Sequence, residues 1–117
     1  MSELHIYHNP RCSKSRETLA LLTDRGLQPT IIDYLKQPPS VAQLQRIAAQ
    51  LNLSARQMMR TKETEYKELN LDNAALSEEQ LFAAISDHPK LLERPIVVNG
   101  EHARIGRPPE TVLEILA

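Results

Sequence analysis

The stretch "LHIYHNPRCSKSRETLALLTDRGLQPTIIDY", residues 4–34, carries the clearest signals for the fold of this chain. Its apolar opening, residues 4–7, predicts a short strand that ends at an asparagine-proline pair. Apolar residues at helical spacing then predict a helix that begins near Cys12 and ends at Gly26. Residues 30–34 are rich in β-branched side chains and indicate a second strand. A strand, helix and strand of this length normally form a parallel pair with a right-handed crossover.

The middle of the chain carries signals for helix starts. A serine followed three residues later by a glutamine occurs three times, and this spacing is the signature of a capping box. The three pairs are Ser40 with Gln43, Ser54 with Gln57 and Ser77 with Gln80. The first pair opens an apolar stripe at helical spacing, and the third predicts a helix that ends near Asp87. These helices form an insertion after the second strand.

The last part of the chain predicts a hairpin and a closing helix. Two β-rich segments flank Asn99-Gly100, the strongest short hairpin signal in the sequence. In "RPPETVLEIL" the two prolines stand where a helix can start, and the apolar residues supply its buried face. The order strand, helix, strand, insertion, strand, strand, helix predicts an α/β, thioredoxin-like (glutaredoxin-like) fold with a helical insertion between the second and third strands. We expect one domain over residues 1–117.

The composition limits the classes of function. The chain of 117 residues has 14 Lys and Arg against 15 Asp and Glu, a net charge of -1, so we expect neither a nucleic-acid nor a membrane partner. We find no signal-peptide pattern, and no apolar run approaches the ~20 residues needed to cross a bilayer. The single cysteine can form no disulfide within the chain, which fits a reducing compartment, and we expect a cytoplasmic protein.

Cys12 lies in a polar setting that is unusual for a core residue. Arg11 and Lys14 are close to it in the sequence, and His8 stands four residues before it. If a helix begins near Cys12, its unpaired N–H groups and positive dipole end stabilise a thiolate and lower the pKa of the thiol. The basic side chains and the Ser15 hydroxyl would add to this effect. The pattern favours a reactive thiol, with a structural cysteine among solvated charges as the alternative.

Cys12 also belongs to two other motifs, a possible metal-ligand pair and a relative of the redox motif C-x-x-C. His8 and Cys12 are candidate zinc ligands, but the remaining histidines show no ligand spacing with this pair, so we predict no metal site. Residues 12–15 form a C-x-x-S, which is the redox motif C-x-x-C with its second sulfur replaced by an oxygen. Ser15 can hydrogen-bond a thiolate but cannot resolve a mixed disulfide, so the chain carries no resolving thiol of its own.

Three arginines are candidate oxyanion ligands. They are Arg60, Arg94 and Arg107. Arg94 and Arg107 each directly precede a proline, which favours an extended backbone and places Arg94 at a strand entrance and Arg107 just ahead of a helix start. A guanidinium suits an oxyanion because its planar fork matches two oxygens at once. The alternative is three unrelated surface arginines.

Four segments together resemble a known family. They are "YHNPRCSKSRETL", "KELNL", "LLERPIVV" and "ARIGRPPE", and they resemble the ArsC family of glutathione- and glutaredoxin-dependent arsenate reductases, above all its short YfgD-like branch. The resemblance runs nearly end to end and implies a thioredoxin-like fold with a helical insertion, in agreement with the element order. It also implies that Arg94-Pro95 is a cis peptide, because the R-P-I segment resembles the cis-proline entrance to a thioredoxin-fold strand.

By this resemblance the chain is an arsenate reductase, an oxidoreductase of arsenic detoxification. Cys12 would be the nucleophile, with His8 and Ser15 supporting its thiolate. The ligands of the arsenate oxyanion would be Arg60, Arg94 and Arg107. Glutathione would be the co-substrate and glutaredoxin the partner, and no bound cofactor is expected. The implied reaction is thiolate attack on arsenic(V), loss of a hydroxyl, attack of glutathione on the adduct, and reduction through glutaredoxin with release of arsenite.

Two alternatives remain open on the sequence. One is a glutathione-linked thiol reductase that acts on another substrate. The other is a protein-binding regulator like Spx, a relative that uses this fold to bind RNA polymerase. Spx-type proteins usually carry C-x-x-C in this loop, so the C-x-x-S of residues 12–15 counts against a disulfide switch.

Overall fold

The computed structural model describes residues 4–116, which divide into two compact units. One unit comprises residues 4–37 and 94–116 and contains the sheet, and the other, Pro38–Glu93, is helical. The single domain over residues 1–117 stays a prediction. Within the described residues, no helix is both long enough and apolar enough to cross a membrane.

The opening stretch folds as predicted into a strand, a helix and a parallel strand. Strand β1 is Leu4–His8, helix α1 is Ser13–Asp24, and strand β2 is Thr30–Asp33. β1 and β2 pair in parallel. Gly26, with φ of 77°, follows α1 and adopts the left-handed conformation that lets the chain turn toward β2.

Two antiparallel strands complete the sheet. β3, Ile96–Asn99, pairs with β1, and β4, His102–Ile105, pairs with β3, so that the strand order is β2-β1-β3-β4. The predicted closing helix is a 3-10 helix, Pro109–Ile115, which packs against α1 and β4. The core cluster of this unit contains Leu4, Ile6, Leu22, Val97, Val112 and Ile115. One apolar cluster therefore joins the sheet, α1 and the closing helix.

The hairpin is confirmed, but its loop is shifted by one residue. The two loop residues are Gly100 and Glu101, because Asn99 pairs with His102 as the last residue of β3. Gly100 has φ of 62°, which suits the first loop position of a type II′ turn. The Asn99 side chain donates to the carbonyl oxygen of Ile115 at 2.7 Å, and this tertiary bond holds Asn99 in the strand.

The helical unit contains three α-helices and two short 3-10 helices. They are α2 Val41–Leu51, α3 Thr64–Glu68, α4 Glu78–Asp87, and the 3-10 helices Arg56–Met58 and Pro89–Leu91. Complete capping boxes at Ser40 and Ser77 open α2 and α4, as predicted. The box of Ser54 and Gln57 also forms both hydrogen bonds, but it opens only a three-residue 3-10 helix because the chain then extends into an isolated bridge at Met59.

Candidate active site

The residues H-N-P-R-C fold into a tight turn between β1 and α1. The Cys12 N–H donates to the Asn9 carbonyl oxygen, and the Arg11 N–H donates to the Asn9 side-chain oxygen, both at 3.0 Å. Cys12 is the N-cap residue of α1, with φ of -93° and ψ of 123°. Its thiol therefore lies where the first N–H groups of a 12-residue helix lack helical partners.

The surroundings of Cys12 lower the pKa of its thiol. Partial burial raises the pKa, but groups that favour the thiolate outweigh this effect. They are the backbone N–H of Ser15, the guanidinium of Arg94, through both a hydrogen bond and its charge, and the backbone N–H of Lys14. These partners favour a reactive cysteine over a structural one.

Arg107 reaches the same sulfur from the far end of the sequence. Its Nη2 donates to Cys12 Sγ at 3.6 Å, and its Nε donates to the Arg94 carbonyl oxygen at 2.7 Å. Arg94 directly precedes Pro95 at the entrance to β3, and Arg107 stands just ahead of the closing 3-10 helix, as predicted. The predicted cis peptide at Arg94-Pro95 is confirmed, and Arg107-Pro108 is a second one. The guanidinium groups of Arg94 and Arg107 thus both lie beside the Cys12 sulfur.

Gly106 lets the segment before Arg107 approach α1 closely. The Gly106 N–H donates to the Pro95 carbonyl oxygen at 2.9 Å. A Cβ at this position would lie 2.6 Å from Thr18 Oγ1 and 2.9 Å from Pro95 Cγ, well inside normal contact distances. The absence of a side chain at Gly106 therefore permits the approach that places Arg107 near the sulfur.

His8 and Ser15 form a buried pair beside the loop. The Ser15 hydroxyl oxygen lies 2.6 Å from His8 Nδ1 and accepts the Asn9 N–H at 3.0 Å. Burial lowers the pKa of His8, the Asp33 carboxylate opposes this effect, and the Arg16 cation adds to it. Because the pKa lies below its usual value of 6.5, the neutral form of the His8 ring predominates at neutral pH. The Ser15 hydroxyl is therefore hydrogen-bonded both to the Asn9 N–H and to the His8 ring, and the tautomer of His8 sets the direction of the second bond.

The sequence suggested that the charge of His8 and the hydroxyl of Ser15 act directly on the thiolate, and the structure shows a different arrangement. A neutral His8 supplies no positive charge to the thiolate. Among the hydrogen bonds of residues 4–116, none joins the Ser15 hydroxyl to the Cys12 sulfur, and the Ser15 backbone N–H serves there instead. The Lys14 ammonium lies 3.8 Å from the Glu17 carboxylate, so it is the backbone of Lys14 that favours the thiolate.

Arg60 belongs to the helical unit and is already paired with carboxylates. Its Nη1 lies 3.2 Å from Glu93 Oε1, and its Nε lies 3.6 Å from Glu63 Oε1. The structure therefore divides the predicted site residues between the two units. The sheet-containing unit holds Cys12, His8, Ser15, Arg94 and Arg107, and the helical unit holds Arg60.

His8 and Cys12 were the candidate zinc ligands, and a zinc site would need further ligands near them. No group of three or more His, Cys, Asp or Glu side chains in residues 4–116 could hold a metal ion. The His8 Nδ1 is engaged by the Ser15 hydroxyl instead.

Comparison with known proteins shows which family this chain belongs to. The model of the ArsC family matches residues 7–115. The chain belongs to the ArsC family. A Haemophilus influenzae protein named arsenate reductase is 64% identical over 112 residues, which cover 95% of this chain and 97% of the relative. The Escherichia coli protein YfgD, named as uncharacterized, is 56% identical over 115 residues, which cover 97% of each chain.

A solved ArsC-family structure shows the same fold. The arsenate reductase from Vibrio cholerae matches with a TM-score of 0.95 at 60% identity, over 97% of each chain. ArsC-family arsenate reductases have a thioredoxin-like fold, so the predicted fold class and the family resemblance are both confirmed.

Three residues of this ArsC-family site were missed in the sequence. Asn9 accepts two N–H groups of the loop, and Gly106 allows the approach of its segment to α1. Asp33 is the register partner of His8 in the parallel pair of β1 and β2. Asn9 before a proline and Gly106 before Arg-Pro carry recognisable turn and close-approach signals. Asp33 carries none, since its relation to His8 depends on strand register.

Proposed function

We propose that this ArsC-family protein reduces arsenate to arsenite, with the Cys12 thiolate as nucleophile and with glutathione and glutaredoxin as electron donors. Relatives named arsenate reductase that are 64% and 50% identical over nearly the whole chain support the substrate. The observation that carries the proposal is one thiol of lowered pKa at the N-terminus of α1, in contact with the guanidinium groups of Arg94 and Arg107.

In the proposed reaction, the Cys12 sulfur attacks arsenic(V) and a hydroxyl leaves as water. Arg94 and Arg107 neutralise the oxyanion, whose negative charge would otherwise repel a thiolate. Arg60 is the third proposed oxyanion ligand. His8 and Ser15 act indirectly, because their hydrogen bonds hold the loop that presents Cys12.

The lowered pKa of Cys12 accounts for only part of the rate. A free thiol with a pKa of about 8.5 is roughly 3% ionised at pH 7, so complete ionisation raises the thiolate fraction by at most ~30-fold. The nucleophilicity of a thiolate falls with its pKa, with a Brønsted slope of ~0.4–0.5, so each unit of lowering costs roughly threefold. Most of the acceleration must therefore come from placing and neutralising the oxyanion, which is the task proposed for the arginines.

The electron balance requires a thiol from outside the chain. Reduction of arsenic(V) to arsenic(III) takes two electrons, and the chain has one cysteine. In the proposed sequence glutathione attacks the Cys12 adduct and arsenite leaves, while the two sulfur atoms give up two electrons and join as a mixed disulfide. Glutaredoxin then reduces this disulfide. These donors act in a reducing compartment, so we place the protein in the cytoplasm.

A coupled assay tests the proposed function. Wild-type protein with glutathione, glutaredoxin and glutathione reductase should oxidise NADPH when arsenate is added, and Cys12→Ser should not. Folded wild-type protein that fails to do so would refute the proposal and favour a thiol reductase with another substrate. The site gives no specific support to a protein-binding regulator.

A further inference from the structure

We infer that Glu93 lowers the affinity of Arg60 for an oxyanion. The Glu93 carboxylate forms an ion pair with the Arg60 guanidinium, and an oxyanion must displace it in order to bind. The inference rests on the proposed function, since it concerns Arg60 as an oxyanion ligand. Its starting point is the ion pair of 3.2 Å between Arg60 Nη1 and Glu93 Oε1.

The backbone fixes the positions of both partners. The two segments that carry them meet in an isolated antiparallel bridge. The Arg60 N–H donates to the Leu91 carbonyl oxygen at 2.6 Å, and the Glu93 N–H donates to the Met58 carbonyl oxygen at 2.8 Å. These bonds hold the two residues close in space, so the ion pair is built into the local fold.

The charges around Arg60 oppose the binding of an anion. One guanidinium faces two carboxylates, those of Glu63 and Glu93. The side chains of Arg60 and Glu93 are 24% and 25% exposed, so water screens their attraction only in part. An oxyanion must therefore compete with a carboxylate that already holds Nη1.

Glu63 provides a matched control in the same cluster. Its carboxylate lies 3.6 Å from Arg60 Nε, and this Nε is buried and makes no hydrogen bond within the described residues. Glu63 therefore carries the same charge as Glu93 but lacks the hydrogen bond to the arginine. Removing the charge of Glu63 should change oxyanion affinity less than removing that of Glu93.

The expected effect is a gain in affinity when Glu93 becomes neutral. Glu93→Gln keeps the size of the side chain and removes its charge. Because a partly exposed ion pair is modest in strength, the arsenate affinity should rise roughly twofold to fivefold. The gain should appear in KM and not in kcat, since Glu93 acts through Arg60.

A double-mutant cycle tests the inference. The arsenate dissociation constant is measured by calorimetry in a Cys12→Ser background, which blocks the covalent step, and KM and kcat are measured with Cys12 present. The variants are Glu93→Gln, Glu63→Gln, Arg60→Gln and the double variant Arg60→Gln with Glu93→Gln. Glu93→Gln should tighten binding, Glu63→Gln should do so less, and the gain should vanish in the double variant. Glu93→Ala replaces Glu93→Gln if the latter fails to fold.

Three other results of these measurements would overturn the inference, and they differ in what they mean for the proposed function. If Arg60→Gln weakens binding but Glu93→Gln does not tighten it, the inference is overturned and the proposed function stands. If Arg60→Gln leaves binding unchanged, Arg60 is no oxyanion ligand and the inference is overturned with that role. If the wild-type protein neither binds nor reduces arsenate, the proposed function itself fails, and the inference with it.

Discussion

The guanidinium of Arg107 contacts the sulfur of Cys12, with Nη2 3.6 Å from Sγ across 95 positions of sequence. The Nε of the same guanidinium donates to the Arg94 carbonyl oxygen at 2.7 Å. The fork of Arg107 is therefore oriented by the backbone of the other arginine at the thiol. We expect changes at either arginine to affect the chemistry of Cys12.

Arg94→Gln should raise the pKa of the Cys12 thiol. The Arg94 guanidinium favours the thiolate through a hydrogen bond and through its charge. Without it, the effect of burial, which raises the pKa of Cys12, is opposed by fewer groups. The ultraviolet absorbance of the thiolate or the alkylation rate, each followed against pH, gives the midpoint. Arg11→Gln is the matched control, since Arg11 is an exposed neighbour and is not among the groups that lower this pKa. Equal midpoints in the two variants would contradict the role of Arg94.

Arg107→Lys should reduce kcat/KM for arsenate by about tenfold or more. A lysine keeps the charge but cannot contact Cys12 and the Arg94 carbonyl oxygen with two nitrogens of one planar group. The loss of a charge-assisted hydrogen bond costs about 1.5 kcal/mol or more, which corresponds to this factor. Arg25→Lys, an exposed site that follows α1, serves as the control. Unchanged kinetics in Arg107→Lys would show that the guanidinium geometry does not matter.

His8→Ala should destabilise the protein by about 1–3 kcal/mol, because the buried Ser15 hydroxyl loses its hydrogen bond to the His8 ring. Urea unfolding of the reduced protein measures this change. His102→Ala, at an exposed position of β4, should change the free energy of unfolding by less than about 0.5 kcal/mol. Similar small effects in both variants would mean that the bond between His8 and Ser15 is not structural.

The lowered pKa of His8 should make stability depend on pH. Its folded-state pKa lies below the unfolded value of 6.5, so between the two values the unfolded chain binds more protons. The contribution of His8 is therefore fully present above about pH 6.5 and is lost as the pH falls through the folded-state pKa. Urea midpoints measured from about pH 8 to about pH 5 should decline less in His8→Gln than in the wild type. Parallel declines would assign the effect to other groups.

Without an external thiol, the protein should form at most one adduct per chain and release no arsenite. The single cysteine supplies one thiol, whereas the reduction needs two electrons and hence two thiols. Arsenite released per mole of protein is measured first without thiols and then with glutathione and glutaredoxin, which should restore turnover that saturates with each. Several equivalents of arsenite without any thiol would exclude the proposed electron flow.

Local patterns predicted the framework of this protein well. The parallel pair of β1 and β2 and the capped helices α2 and α4 follow from signals carried by neighbouring residues. Two predictions were altered by distant contacts. Asn99 moved from the loop into β3, where its side chain bonds to Ile115, and the box of Ser54 opened only a short 3-10 helix.

Signals from neighbouring residues correctly predicted the order of the elements, the position of Cys12 at the start of a helix, and the places of Arg94 before a strand and Arg107 before a helix. These features depend on residues that are adjacent or within one helical turn. Other properties of the site are visible only in the folded chain: burial lowers the pKa of His8, backbone N–H groups and Arg94 lower the pKa of the thiol, and Arg60 pairs with Glu93. These properties could not be predicted because burial, charge separation and hydrogen bonding depend on distances between residues that are far apart in sequence, and those distances are set by folding.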